Sequence, residues 1–195
     1  MNDTTDTDPM RQFFLMVLLP LLVVSFCLSL VSNAHGQTHG FVESYNKVDG
    51  GKVTPQVNVL VYGPLKGKLG WSVWSLTSES YSEATVSLTY APAKWIEASG
   101  GLGLETADNP IRYAGSLWMG KNKWSFLAIQ EGGGSGYWYR YLGKYEVTKT
   151  FAVGINSTRF LGVGPYAEKK FGKVAIWATY AVDTKKSVIG LRFNF

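Results

Sequence analysis

The sequence predicts an all-β chain, an antiparallel up-and-down transmembrane β-barrel of about twelve strands behind a cleaved leader. Three observations predict it. Period-two alternation runs from Gly40 to the last residue, without a helical stripe. Turn residues recur every 10 to 14 positions. The chain is rich in aromatics (14%) and glycine (22 residues), yet past residue 36 it has no apolar run long enough for a transmembrane helix.

The leader comes first. Phe13 to Val31 is almost wholly apolar, and Ser32-Asn33-Ala34 and Ala34-His35-Gly36 both fit small-x-small cleavage patterns. The acidic start, Asn2 to Asp8, does not suit a signal n-region, whereas Met10-Arg11-Gln12 does. Residues 1–36 therefore read as a signal peptide, with Met10 an alternative start; a retained membrane helix is the competing reading. Residues 37–195 read as one barrel domain. The only cysteine, Cys27, leaves with the leader, so the mature chain has no thiol for a disulfide or a metal site. Removing Arg11 with Asp3, Asp6 and Asp8 leaves 18 basic against 11 acidic residues, a net of about +7. The lysines are scattered through turn-like positions rather than gathered into an arm, which argues against a nucleic-acid partner.

The strand pattern then follows in order. The expected spans are 40–48, 53–62, 68–77, 83–90, 95–106, 111–120, 123–131, 137–143, 145–155, 159–168, 173–183 and 187–195. Most approach the roughly 9–11 residues that a tilted strand needs to cross a bilayer. The alternation is clearest in Ala84 to Tyr90, in Ile96 to Leu104 and in Val174 to Val182. It is weakest in the first and seventh spans, which leaves ten or eight strands as alternatives. Expected turns include Asp49-Gly50-Gly51, Gly120-Lys121-Asn122, Gly132 to Gly136, Gly143-Lys144 and Asn156-Ser157. Such short connections require antiparallel neighbours. An even strand count returns both ends to one side. The seven tryptophans, Trp177 included, fall where interfacial girdles are expected, and Tyr137, Tyr139 and Tyr141 share a face. A soluble β-sandwich whose core uses the same aromatics is the alternative.

The last strand carries a resemblance. Val188-Ile189-Gly190-Leu191-Arg192-Phe193-Asn194-Phe195 places Ile189, Leu191, Phe193 and Phe195 on one face and Gly190, Arg192 and Asn194 on the other. This resembles the terminal strand of bacterial outer-membrane β-barrel proteins, a porin-like class. The resemblance implies a bacterial outer-membrane location. It also implies Phe193 and Phe195 as the mark read by the barrel-assembly machinery, with outer-membrane lipids and lipopolysaccharide as surroundings.

If the apolar face meets lipid, the opposite face lines the lumen. Arg112, Arg140 and Arg192 with Glu97, Glu105, Glu146 and Glu168 are the expected lumen and selectivity residues, joined by Glu83 and by Ser72, Thr85, Ser87, Ser99 and Ser116. An arginine on the lipid face near mid-membrane costs roughly 2–4 kcal/mol, so these side chains belong inside. The expected function is a pore passing small hydrophilic solutes by diffusion. A closed barrel filled by an ion-pair lattice is the alternative, because about eight strands are filled by their own side chains and about sixteen leave a channel. Catalysis is not expected: both histidines, His35 and His39, precede the first strand, so a Ser-His mechanism has no base. No zinc spacing, calcium loop or phosphate-binding glycine loop is present, so no cofactor and no metal are expected. The connecting loops look too short to fold inward as a plug.

Overall fold

A computed structural model describes residues 38–195; the expected leader lies outside the described residues. The described chain forms twelve strands: β1 (His39–Asp49), β2 (Lys52–Pro64), β3 (Leu69–Ser78), β4 (Ser82–Ala93), β5 (Ile96–Glu105), β6 (Ile111–Lys121), β7 (Trp124–Gly133), β8 (Trp138–Thr148), β9 (Phe151–Thr158), β10 (Gly162–Phe171), β11 (Val174–Ala181) and β12 (Lys186–Asn194). Each pairs with its neighbour in sequence, and β1 pairs antiparallel with β12 from Phe41↔Asn194 to Val48↔Ser187, which closes the barrel. Closure leaves no free edge, the condition for a sheet to sit in hydrocarbon.

Register fixes the two faces, since directly paired residues share a face. Following the ladder around the barrel, Glu43 pairs with Arg192, Arg192 with Ala175, Trp177 with Glu168, Glu105 with Glu83 and Gly103 with Arg112. These positions form the inner face. The outer face carries Leu88 (64% exposed), Ile155 (63%), Leu102 (60%) and Leu191 (53%). Exposed aliphatic and aromatic side chains on the outward rows of so many strands mark a membrane contact and not the surface of a water-soluble monomer. The soluble sandwich expectation therefore fails: there is one closed sheet, and its apolar side faces out.

The turns define two rims. The proximal rim, on the side of His39 and Asn194, holds the connections at 65–68, 94–95, 122–123, 149–150 and 172–173. The distal rim holds the six others. At the distal β1–β2 turn, Gly50 and Gly51 have φ of 55° and 88°. A two-residue hairpin matched to strand twist needs positive φ at both positions, and glycine adopts it at least cost.

Two expected turns are strand interior. Gly143-Lys144 lies within β8, where Gly143 pairs with Phe126 and Ile155 while Lys144 reaches Glu168 inside the barrel. The chain reverses instead at Lys149-Thr150, after a register shift between Glu146 and Thr148. Asn156 is likewise buried in β9, held by its Oδ1, which accepts from Arg140 Nε at 3.2 Å. The reversal there falls at 159–161, with Phe160 at φ 69°.

Candidate functional site

All seven expected lumen residues lie on the inner face, and they fall into separate groups. At the proximal end the inner face carries a ladder of opposite charges. Arg192 Nη2 is 2.5 Å from Glu43 Oε2, and Arg192 Nη1 is 3.4 Å from Glu168 Oε2. Lys144 Nζ approaches Glu168 at 3.5 Å, and Lys170 Nζ spans Glu146 (3.3 Å) and Glu168 (4.0 Å). Thus Arg192, Glu168 and Glu146 come together, with three partners from outside the expected set: Glu43, Lys144 and Lys170. Glu43 and Glu168 are almost fully buried, so each needs its partners to remain charged away from bulk water.

Above this ladder lies an aromatic layer. Trp177, 4% exposed, stacks on Tyr166 with ring centroids 5.7 Å apart and donates its indole N–H to Glu43 at 2.9 Å. Tyr166 donates its hydroxyl to Glu168 at 2.8 Å. The Arg140 guanidinium sits 5.5 Å from the Trp177 ring, a cation–π arrangement. Tyr45 from β1 and Leu127 from β7 pack against the same cluster, which also includes Leu142 and Val188. Trp177 is therefore not a girdle residue. Its alternation with Ile176 and Ala178 puts it inside, and its N–H finds a carboxylate there.

At the distal end Arg112 is caged. Its Nε lies 2.5 Å from Glu83, Nη1 3.0 Å from Glu105 and Nη2 2.8 Å from Glu131. Three carboxylates thus surround one guanidinium. The β7–β8 loop caps this cage at the rim without folding in as a plug. Ser135 donates both its backbone N–H (2.8 Å) and its hydroxyl (2.5 Å) to Glu105. Arg112 Nη1 donates to Ser135 Oγ (3.0 Å) and to the Gly136 carbonyl (3.2 Å). Tyr81, in the β3–β4 turn, donates to Glu105 at 2.6 Å. Burial raises the Tyr81 hydroxyl above the ordinary tyrosine range, and its bond to Glu105 adds to the effect.

The remaining wall is different. The inner positions of β4 to β6 are small: Thr85, Ser87, Ser99, Gly101, Gly103, Ala114 and Ser116. Ser99 and Ser116 hydrogen-bond each other at 2.6 Å across the strand pair. Beside them Ser116, Ile129 and Arg140 keep partial exposure, and the inward Trp118 is 38% exposed. Water reaches these side chains only from the lumen. Glu97, inward and exposed, belongs to neither ion-paired group. The lumen is lopsided, with a filled side along β8–β12 and β1, against which Leu127 of β7 also packs, and a more accessible side along β5 and β6.

Glu43 and Glu131 escaped the sequence reading. Glu43 lies in the first span, where alternation is weakest. Glu131 lies near the end of β7, where Phe126 to Ile129 blur the period. Extending the inward parity of Glu97 and Glu105 through the hairpins would have found Glu131.

No protein-family model matches the chain, and no curated protein matches it in sequence. Solved structures do match in fold. A KdgM porin superposes with a TM-score of 0.55 at 11% identity, covering 80% of this chain and 99% of that one. A KdgM porin in complex with disordered oligogalacturonate matches at 0.55 and 13% identity, with coverage of 80% and 99%. A NanC porin matches at 0.51 and 12% identity, covering 79% and 98%. At these identities the likeness establishes the fold: this chain has the closed antiparallel barrel of those porins.

Proposed function

We propose that the protein is a pore of a bacterial outer membrane that passes small hydrophilic solutes by diffusion. The observation that carries the reading is the partly exposed inner wall of β5 and β6, polar and lined by small residues, enclosed within a barrel whose outer face is apolar. Water and small solutes would pass along Ser99, Ser116 and Ala114, opposite the packed Tyr166–Trp177 layer. Arg140 is the charge nearest this path that is not neutralised by a carboxylate, and Arg112, Arg192, Glu97, Glu105, Glu146 and Glu168 set the field at the two ends. The porin solved with oligogalacturonate supports a hydrophilic solute class.

The reading is not enzymatic. His39 is the only histidine among the described residues; it sits at the proximal rim with its ring 5.8 Å from that of Tyr62. The inner Ser99 and Ser116 hydroxyls are bonded to each other and have no base. Phe193 and Phe195 point outward at 49% and 44% exposure, available to the assembly machinery and then to lipid and lipopolysaccharide.

The test is single-channel recording of the refolded protein in planar bilayers. Discrete conductance steps are expected, small for a twelve-stranded barrel. Absence of steps above background would refute the pore. A closed, structural barrel is the second reading, and the caged Arg112 and the buried Glu43–Arg192–Glu168 chain favour it. It predicts stable membrane insertion with no conductance.

A further inference from the structure

The outer wall is interrupted by a trough of about 940 Å³ running obliquely across β8 to β12. Its depth comes from small outward residues, Gly143, Ala167 and Ala178, set between Tyr145 on one side and Tyr180 on the other, with Trp124 at one end. A barrel wall is convex, so a cleft this size requires neighbouring strands to combine small and large outward side chains in register. Ala167 pairs directly with Ala178, and Gly143 lies two residues before Tyr145 on the same outward row.

The trough leads down to the proximal rim. The Trp124 and Tyr145 rings lie 4.7 Å apart at its lower end, and Lys123 Nζ stands 5.8 Å from the Tyr145 ring centroid. Lys169 continues the outward row two residues past Ala167, and its Nζ is 3.1 Å from Thr150 Oγ1, next to Lys149 in the β8–β9 turn. Lys123, Lys149 and Lys169 are all exposed. The proximal turns contain six lysines, Lys66, Lys68, Lys94, Lys123, Lys149 and Lys173, and no acidic residue. The distal turns, by contrast, carry Glu79, Asp108 and Asp183.

We propose that the trough and its rim form a binding site for one anionic glycerophospholipid, its acyl chain along Ala167 and Ala178 and its phosphate among Lys123, Lys149 and Lys169. The inference rests on the membrane placement that the pore reading requires. Charge complementarity selects the occupant. A second copy of this chain seated in the same groove would bring two lysine-only rims together, whereas an anionic headgroup neutralises one. The amphipathic rings of Trp124 and Tyr145 stand where acyl chain gives way to headgroup, their preferred level in a bilayer.

The experiment is native mass spectrometry of the refolded, detergent-solubilised protein, titrated with phosphatidylglycerol or phosphatidylcholine of identical chains. One retained phosphatidylglycerol is expected, with phosphatidylcholine held much more weakly. A basic residue beside an anionic headgroup contributes about fivefold in affinity, so K123Q/K149Q/K169Q should abolish the preference. A167W/A178F, which fills the trough, should reduce retention of both lipids. Equal retention of the two lipids by the parent, or an unchanged preference in the triple lysine variant, overturns the site. A protein that conducts yet shows no preference loses this site alone; one that never inserts into vesicles takes the pore reading with it.

Discussion

Replacing Arg112 with glutamine tests whether the distal cage holds the barrel shut at that end. Arg112 is 3% exposed and makes close approaches to Glu83, Glu105 and Glu131. Its removal leaves three carboxylates facing one another with no cation among them. Breaking a buried ion pair by deleting one partner costs about 3–5 kcal/mol, because the surviving charge stays desolvated. Here the survivors are three, so R112Q should reach at least that range. Two hydrogen bonds to the β7–β8 loop are lost as well. The variant should therefore unfold from vesicles at much lower urea concentration than the parent. It should also show noisier and larger conductance as Ser135 and Gly136 lose their bonds to Arg112, with Glu105 still holding Ser135. A second substitution sharpens the test: E131Q in the R112Q background removes one of the uncompensated charges and should recover part of the loss. An R112Q protein within about 1 kcal/mol of the parent, with E131Q bringing no recovery, would refute the cage as a structural latch.

Three further outcomes follow from the same geometry. R140E reverses the charge beside the accessible wall, so reversal potentials in a KCl gradient should move toward cation preference; an unmoved potential would place the ion path elsewhere. A114W adds a large ring on the small-residue wall, so conductance should fall sharply while heat-modifiable gel mobility persists, and unchanged conductance would refute the path along β5 and β6. W177A removes the aromatic layer and the indole bond to Glu43, costing about 3–5 kcal/mol in stability, checked by urea unfolding, and widening the conductance steps in bilayers.

The residues that period two placed correctly are those in clean alternation. Glu97, Glu105 and Arg112 lie in spans where every second residue is apolar or small, and one apolar side forces the other inward. Arg192 follows from Ile189, Leu191 and Phe193. Glu43 was lost because the row opposite it, Val42-Ser44-Asn46, is not uniformly apolar, so the alternation by itself does not say which row faces lipid. Gly143-Lys144 misled for a related reason. Glycine before lysine marks turns well, yet in a lipid-facing row glycine also makes room, as the trough beside Tyr145 shows. Trp177 misled because an aromatic near a strand end suits a girdle as readily as a lumen; the alternation with Ile176 and Ala178 already turns it inward, and the carboxylate of Glu43, 134 residues away, receives its N–H there. Partners that far apart in sequence are set by barrel closure, which no local pattern encodes.

The lopsided interior explains how twelve strands can carry both a filled core and a path. A barrel of this size encloses more volume than one layer of side chains fills, yet less than an unobstructed channel needs. Tyr45, Tyr166 and Trp177, from β1, β10 and β11, occupy the space along one side; Tyr166 and Trp177 donate to Glu168 and Glu43, and Arg140 lies over the Trp177 ring. The Trp177 indole and Tyr166 hydroxyl, paired with buried carboxylates, hold those two rings away from the serine and glycine wall. The ion pairs and the path are then one arrangement: the Glu43–Arg192–Glu168 chain fixes the rings on one side, and the small residues of β5 and β6 keep the other side clear. Disrupting the chain at Glu43 should therefore alter conductance even though that carboxylate is almost fully buried and never meets the solute. E43Q keeps the side-chain shape while removing the charge that holds Arg192 and the Trp177 indole. It should produce fluctuating substates in single-channel records, with lower resistance to urea. A variant with parental conductance and parental stability would separate the packed side from the path.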